Sequence, residues 1–519
     1  MNRLSSSCWQ KRSFKILLAC LCSLACLTSL NAKTASQLPD SITKLLQTHK
    51  IPASDISLYV IKVSADSPSL ALNDATPRNP ASVMKLVTSL IALDTLGPNY
   101  QWRTDAYIQG SLRQGKLDGD LILKGYGDPS LTPERFWQLL RELRERGISV
   151  IKGDLIIDGS YFIPTQEQRG DFDGRPQRAY NALPHPLSLN YQATQVHLVP
   201  DQGSTSIHAF TTPPLANLAI HNQMKLVSKP CQAPYHRPVV HLAEQADGAT
   251  LELQGEYSSV CPEWSGTYLI MDPAEHLGGA FRAFWKELGG EFNGKVKEGL
   301  IPKQAQRFHS IESAPLAEVI RNMNKYSNNL MSRMLLLTVA AEGQGAPADL
   351  NKGQDMVRRW LASLQLPARA VRVGNGSGLT RDGRVTVETL GRMLQAAYAS
   401  PLMPEFISSM PLAGIDGTMR RRLRNTDLKG RAHIKTGTLN NVSAMAGYVQ
   451  DRHNQRWVTA LIINHKGLQS WQGKQVQDAV LRWVYQGPDH LPLAKGQLAA
   501  MEVTECEGHT ESGSCKSQQ

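Results

Sequence analysis

Three residues apart in the segment NPASVMKLVTSLIALDTLG (79–97) stand Ser82 and Lys85, inside a stretch that is otherwise apolar almost all round. A serine hydroxyl becomes a nucleophile when a neighbouring base takes its proton. A lysine can be that base only as a neutral amine, and burial lowers its pKa by disfavouring the ammonium. A helix N-terminus at Ser82 would also favour negative charge developing there. The competing assignment makes Ser82 a helix N-cap and lets Lys85 reach out to solvent.

The Ser-x-x-Lys pattern occurs at Ser41–Lys44, Ser82–Lys85 and Ser149–Lys152. Ser149 and Lys152 fall in an alternating strand, where residues three apart point to opposite faces. Ser41 and Lys44 share a face of a short, half-polar helix, where a solvated lysine is a poor base. Ser82 and Lys85 share a face at the head of a helix apolar enough to be central.

Two further stretches supply polar groups of the right kind. NKYSNNLMSRMLLL places Ser327 and Asn329 at the mouth of a second apolar helix, where capping alone would also account for Ser327. HIKTGTLNN carries Lys435, Thr436, Gly437 and Thr438 on a strand. Gly437 would let a substrate backbone approach closely. Lys435 and the two threonine hydroxyls suit a carboxylate, and a lysine guarding a sheet edge is the alternative for Lys435.

These stretches need a scaffold, and at 519 residues the chain is long enough for two or three domains. Residues 1–32 read as a signal peptide: Arg3, Lys11, Arg12 and Lys15 precede an apolar run over 16–30, shorter than the roughly 20 residues of a membrane span. Cleavage after Ala32 is expected; a lipoprotein site at Cys20 or Cys26 and an uncleaved anchor are the alternatives. The expected order is a helix in SITKLLQTHK, a strand in ISLYVIKV, the Ser82 helix closed by Gly97 and Pro98, and then short strands and turns. The change of texture assigns 33–104 and 271–490 to one domain, 105–270 to an insertion of two accessory domains, and 491–519 to a mobile tail. Late in the chain RAHIKTGT, VSAMAGYVQ and RWVTALIINH read as neighbouring antiparallel strands, followed by a helix in SWQGKQVQDAVLRWVYQ.

At 41% apolar and 19% charged, the composition is that of a soluble globular protein. Removing the leader takes the formal charge from +11 to about +7, which suits an anionic wall or headgroup surface as well as plain solubility. The densest basic run, Arg420, Arg421, Arg422, Arg424, Lys429 and Arg431, has no interleaved aromatics, so nucleic-acid binding has no support. Outside the leader remain Cys231, Cys261, Cys506 and Cys515, an even number that favours disulfides in an exported chain. Three pairings are open, nearest neighbours being the simplest, and no Cys/His spacing suggests a zinc or other metal site.

In this order and setting, the three motifs resemble those of the penicillin-binding protein and serine β-lactamase superfamily. The long gap between Ser82 and Ser327, with GYGDPSLT (125–132) and NGSGLTRDGRVT (375–386), resembles the class C low-molecular-mass penicillin-binding proteins. These are D-alanyl-D-alanine carboxypeptidase/endopeptidases of the penicillin-binding protein 4 type, and the similarity runs from about 40 to 487. Asn375 stands where the family often has Asp.

The resemblance implies an α+β, β-lactamase/transpeptidase-like fold, an antiparallel sheet flanked by helices, with a large mostly-β insertion between the first two motifs. It implies Ser82 as nucleophile, Lys85 as base, and Ser327, linked to Lys435, relaying a proton to the leaving amine. Asn329 would hold Lys85 and the substrate amide, and the Ser82 and Thr438 N–H groups would form the oxyanion hole. Asp173, preferred over Asp171, would bind the free end of a diaminopimelate side chain. Peptidoglycan stem peptides would be substrates, β-lactams covalent inhibitors, and no cofactor is expected. The implied site is periplasmic, with no transmembrane helix in the mature chain. Alternative functions are a serine β-lactamase, distinguished by repeated cephalosporin turnover, and a non-catalytic wall-binding homologue, whose motifs would be broken. The oligomeric state is left open.

Overall fold

The computed structural model describes residues 38–201, 206–245 and 248–488. The expected signal peptide, the tail, and Cys506 and Cys515 lie outside the described residues.

A five-stranded sheet organises the part that carries the three motifs, in the order Ala432–Leu439, Val442–Gln450, Arg456–Asn464, Ile56–Lys62, Leu70–Leu72. Every neighbouring pair is antiparallel, so the three late runs and ISLYVIKV pair as expected. Side chains alternate across a strand, and here both faces are apolar. Leu58 and Val60 pack with Val476, Val480 and Leu481 of the Ser470–Gln486 helix and with Ile42 and Leu46 of the Asp40–Thr48 helix. Tyr59 and Ile61 face the other way, into a core shared with the helices Lys85–Leu96, Leu316–Tyr326, Asn329–Gln344 and Val387–Ala399. Each fully buried aliphatic side chain contributes about 1.5–3 kcal/mol, so this two-sided burial fixes the sheet on which the KTG strand sits.

The chain leaves this fold at Trp102 and re-enters at Ser313. The two crossings are hydrogen-bonded neighbours: the Ser313 N–H donates to Trp102 O (2.8 Å) and the Trp102 N–H to Ser313 Oγ (3.0 Å). The insertion therefore ends near 312 and not at the expected 270. The Pro273–Glu287 helix packs Leu277, Phe281 and Phe284 against Phe136, Leu139 and Leu143 of the Pro133–Glu145 helix. The strand Gln306–Glu312 then pairs with Arg103–Arg113. The amphipathic pattern from 273 shows an apolar face but not the core that the face covers.

Two units make up the insertion. One is a seven-stranded sheet covered by those two helices, so the insertion is mostly β, as expected. The other pairs two three-stranded sheets around Val196, Leu198, Leu251, Leu253 and Tyr257. It carries the Cys231–Cys261 disulfide, one bond of the simplest pairing.

The insertion also packs on the fold that carries the three motifs. Tyr161, Phe162, Ala182 and Leu269 bury Leu330, Met334 and Leu337 of the Asn329–Gln344 helix, and Arg333 of that helix pairs with Glu167 at 2.6 Å. That cover explains why the helix is buried on every side from Asn329 to Ala341. Excising 103–312, with Trp102 joined to Ser313 by a short glycine linker, should therefore expose Leu330, Met334 and Leu337, each worth about 1.5–3 kcal/mol of burial. The shortened protein should bind a fluorescent hydrophobic dye and unfold at a lower denaturant midpoint. A native midpoint with no dye binding would show that the insertion adds nothing to this packing.

Candidate active site

Ser82 does not cap a helix. It lies in a 3-10 turn, Ala81–Met84, and the α-helix starts at Lys85. Ala81 adopts a left-handed φ of 46°, held because the Asn79 side chain accepts from the Ala81 N–H (2.9 Å). Asn464 of the sheet fixes Asn79 in turn, accepting from its N–H at 2.8 Å and donating to its carbonyl at 3.0 Å. The serine turn is thus pinned directly to the central sheet.

Lys85 is completely buried, which removes the solvent-reaching alternative. Its Nζ donates to Ser82 Oγ (3.1 Å), Asn329 Oδ1 (2.7 Å) and the Ser377 carbonyl (2.7 Å). None of these partners is charged. Burial, and then the neighbouring Lys435 charge, hold its pKa well below the ordinary lysine value.

Lys435 is also completely buried, on the edge strand of the sheet. A lysine that guards an edge must be exposed to do so, so that alternative fails. Its Nζ donates to Ser327 Oγ (2.9 Å) and to the Thr436 carbonyl (2.8 Å), and burial brings its pKa down to about 7. Lys325, two residues before Ser327, makes the contrast: it pairs with Asp416 at 2.7 Å.

Ser327 is not the cap of the second helix either. Asn328 is, its side chain accepting from the Met331 N–H (3.0 Å). Ser327 ends the preceding helix at φ 59°, ψ 39°, a left-handed conformation that costs a non-glycine residue about 1–3 kcal/mol. That geometry turns its hydroxyl to Lys435 and brings Asn329 to Lys85 on the next helix.

Gly437 belongs where it is because a Cβ there would lie 2.6 Å from Pro80 O and 2.8 Å from Ser82 N. The KTG strand therefore packs backbone to backbone against the serine turn. Thr436 and Thr438 occupy alternate positions to Lys435 and Gly437; Thr436 Oγ1 meets Thr418 Oγ1 at 3.1 Å, and Thr438 is exposed.

The NGSG turn closes the far side. Asn375 accepts from the Ser377 N–H and hydroxyl and donates through Nδ2 to Leu379 O (3.0 Å). An ionised aspartate could not make that last bond, so the departure at 375 is accommodated by use of the amide. The insertion reaches the site twice: Tyr180 O accepts from Asn329 Nδ2 (3.1 Å), and Arg381 stacks over Phe172 at 4.5 Å. Asp173 lies on the same loop, accepting from Tyr180 OH, Asn181 Nδ2 and the Arg175 N–H. Burial opposes its ionisation, but those three donors hold its carboxyl below the usual range.

Ser82, Lys85 and Asn329 thus meet directly, as do Ser327 and Lys435. Lys44 is exposed and Lys152 pairs with Asp118 at the surface, so neither competing Ser-x-x-Lys copy forms a site. Sequence reasoning missed the carbonyls of Ser377 and Tyr180, because a backbone acceptor leaves no residue-type signal. Nor did it foresee that Asn329, expected to hold Lys85 and the substrate amide, also donates through Nδ2 to Tyr180 O.

The D-alanyl-D-alanine carboxypeptidase DacB of Haemophilus influenzae is 26% identical, the alignment covering 80% of this chain and 87% of that protein. The D-alanyl-D-alanine carboxypeptidase of Actinomadura sp. strain R39 is 25% identical over 91% and 89% of the two chains. The crystal structure of penicillin-binding protein 4 from H. influenzae superposes with a TM-score of 0.69 at 23% identity, covering 86% of this chain and all of that one, so the two share a fold. The profile of the D-Ala-D-Ala carboxypeptidase 3 (S13) family matches residues 38–486, from the first described helix to the last. By that match the chain belongs to the D-Ala-D-Ala carboxypeptidase (S13) family.

Proposed function

We propose that this protein is an exported serine carboxypeptidase and DD-endopeptidase of peptidoglycan, acting through an acyl-serine on Ser82. The observation that carries the reading is a fully buried amine 3.1 Å from a serine hydroxyl with no carboxylate to keep it charged. Lys85 takes the Ser82 proton as Oγ attacks the carbonyl of a D-Ala–D-Ala or D-Ala–diaminoacyl amide. The resulting oxyanion is held by the Ser82 and Thr438 N–H groups, donors of a kind worth roughly 3 kcal/mol each.

The C–N bond breaks as Ser327 passes a proton to the departing amine and recovers one through Lys435. The proton that Lys85 took from Ser82 replaces the one given through Lys435, so Lys85 is neutral again. Water then attacks the acyl-serine and gives its proton to Lys85, which returns it to Ser82 Oγ as the shortened peptide is released. Lys435, Thr436 and Thr438 bind the substrate carboxylate, which supplies the counter-charge that the buried amine lacks. Asp173 binds the ammonium of the diamino acid side chain. β-Lactams acylate Ser82 because their strained amide occupies the same place; the H. influenzae penicillin-binding protein 4 has been solved with a β-lactam.

Ser82→Ala should abolish penicillin labelling and D-alanine release while leaving the circular dichroism spectrum native. Labelling that survives in Ser82→Ala but is lost in Ser41→Ala would transfer the role.

The acylation rate should rise with pH as Lys85 loses its proton, through an apparent value well below 10.5. It should fall again as Lys435 loses the charge that draws the carboxylate, both values belonging to the coupled pair. Lys85→Arg keeps a charge that cannot be lost near neutrality, so it should be as inert as alanine from pH 6 to 10. Near-native acylation by Lys85→Arg at any of those pH values would dismiss Lys85 as the base.

Lys435→Ala should slow acylation by benzylpenicillin about tenfold or more, since a charge-assisted hydrogen bond contributes about 1.5–3 kcal/mol, and should remove the alkaline limb. An unaltered second-order rate constant would mean that Lys435 does not bind the carboxylate.

A further inference from the structure

The basic run after 419 is not used by the chemistry above, yet it borders it. Arg420, Arg421, Arg422 and Lys474 line a cleft of about 420 Å³ together with Thr436 and Thr438 of the KTG strand. Thr436 and Thr438, alternate residues of the strand, both open onto this cleft. No acidic residue lines it.

The segment is rigidly mounted. Lys325 clamps both oxygens of Asp416 (2.9 and 2.7 Å), and Gly417, at φ 54°, sits so close that a Cβ would lie 2.6 Å from Lys325 O. Met419 and Leu423 are buried on either side of the arginines. Arg422 is spent on structure, donating to Asp478 and Gln477 of the last helix. Arg420, Arg421 and Lys474 are exposed, and their side chains make no ion pair among the described residues. Surfaces that serve only solubility intersperse the two signs; here Arg420, Arg421 and Lys474 converge from a fixed turn and a facing helix with no ion-pair partner among the described residues.

We propose that this cleft is the subsite for the leaving side of the substrate, and that it takes a peptide bearing several carboxylates. The inference rests on the reading that Ser82 attacks the D-alanyl amide. The first carboxylate beyond the scissile bond lies at Thr436 and Thr438. When a free chain end is trimmed, the leaving group is D-alanine and carries nothing more. When a cross-link is cut, the leaving amine belongs to a second stem peptide, whose glutamyl and terminal residues bring further carboxylates past the threonines. Arg420 and Arg421 meet them there, with the planar donor pairs that match a carboxylate. The subsite thereby favours cross-links over free ends and adds salt-sensitive attraction for them.

The test compares the full-length protein with its Arg420→Ala/Arg421→Ala variant on two substrates: a monomeric pentapeptide losing one D-alanine, and a D-Ala–diaminopimelate cross-linked dimer. The ratio of kcat/KM for dimer over monomer should drop about tenfold or more, mainly through KM, and Arg420→Lys/Arg421→Lys should restore part of it. The wild-type preference should also shrink with added salt, and the alanine variant's should not. An unchanged ratio, or an equal loss on both substrates, would overturn the proposal. A second measurement is independent of turnover: calorimetric titration of a stem tetrapeptide with a free amine into Ser82→Ala, with and without the arginine changes. Equal affinity would overturn the cleft assignment. Absence of any D-alanine release by the wild type would instead overturn the peptidase reading, while the titration still decides the cleft.

Discussion

Two ammonium-bearing side chains have been taken out of water without a carboxylate for either, and the remaining architecture of the site follows from that. A buried, unpaired charge is costly enough that the group gives up its proton instead. Lys85 and Lys435 are both completely buried, and their partners are hydroxyls, an amide oxygen and carbonyls. Those acceptors suit an amine in either state, so they orient the nitrogen without forcing it to stay charged. Lys325, two residues before Ser327, is paired with Asp416 and serves as a mechanical tie. One carboxylate thus separates the salt-bridged lysine from the two whose partners are all neutral.

Keeping water away from the two amines requires walls on all sides, and they come from distant parts of the chain. The sheet supplies the floor through Gly437 and Asn464, and the NGSG turn one flank, where a Cβ on Gly378 would lie 1.8 Å from Ala81 O. The inserted region supplies another, through Tyr180 on Asn329 and the apolar cover over Leu330 and Met334. An accessory region that reads as a peripheral appendage is therefore part of the dielectric boundary of the site.

Much of this was legible in the residues. Alternation in VSAMAGYVQ and RWVTALIINH identified two core strands, and the choice among Ser-x-x-Lys copies followed from which face of which element each residue occupies. Illegible were features carried by the backbone: the left-handed Ala81 and Ser327, and the carbonyls that hold Lys85 and Asn329. The misplaced end of the insertion has the same origin. An amphipathic helix announces that it has a buried face, but the partner core, here Phe136 and Leu139, lies more than a hundred residues away in sequence.

The pairing of Ile56–Lys62 with Arg456–Asn464 bears on the order of assembly during synthesis. The insertion's seven-stranded sheet closes once the Gln306–Glu312 strand has joined Arg103–Arg113, so a partly made chain already contains every strand of that sheet. The central sheet has no such shortcut. Its first long strand must wait for a partner made some four hundred residues later, and contacts of such separation form slowly. Lys435 is not even present when Ser82, Lys85 and Asn329 have already been made. An unfinished chain thus carries a folded accessory region beside a serine whose surroundings are still open to water, and the buried amines become buried only when the last strands close.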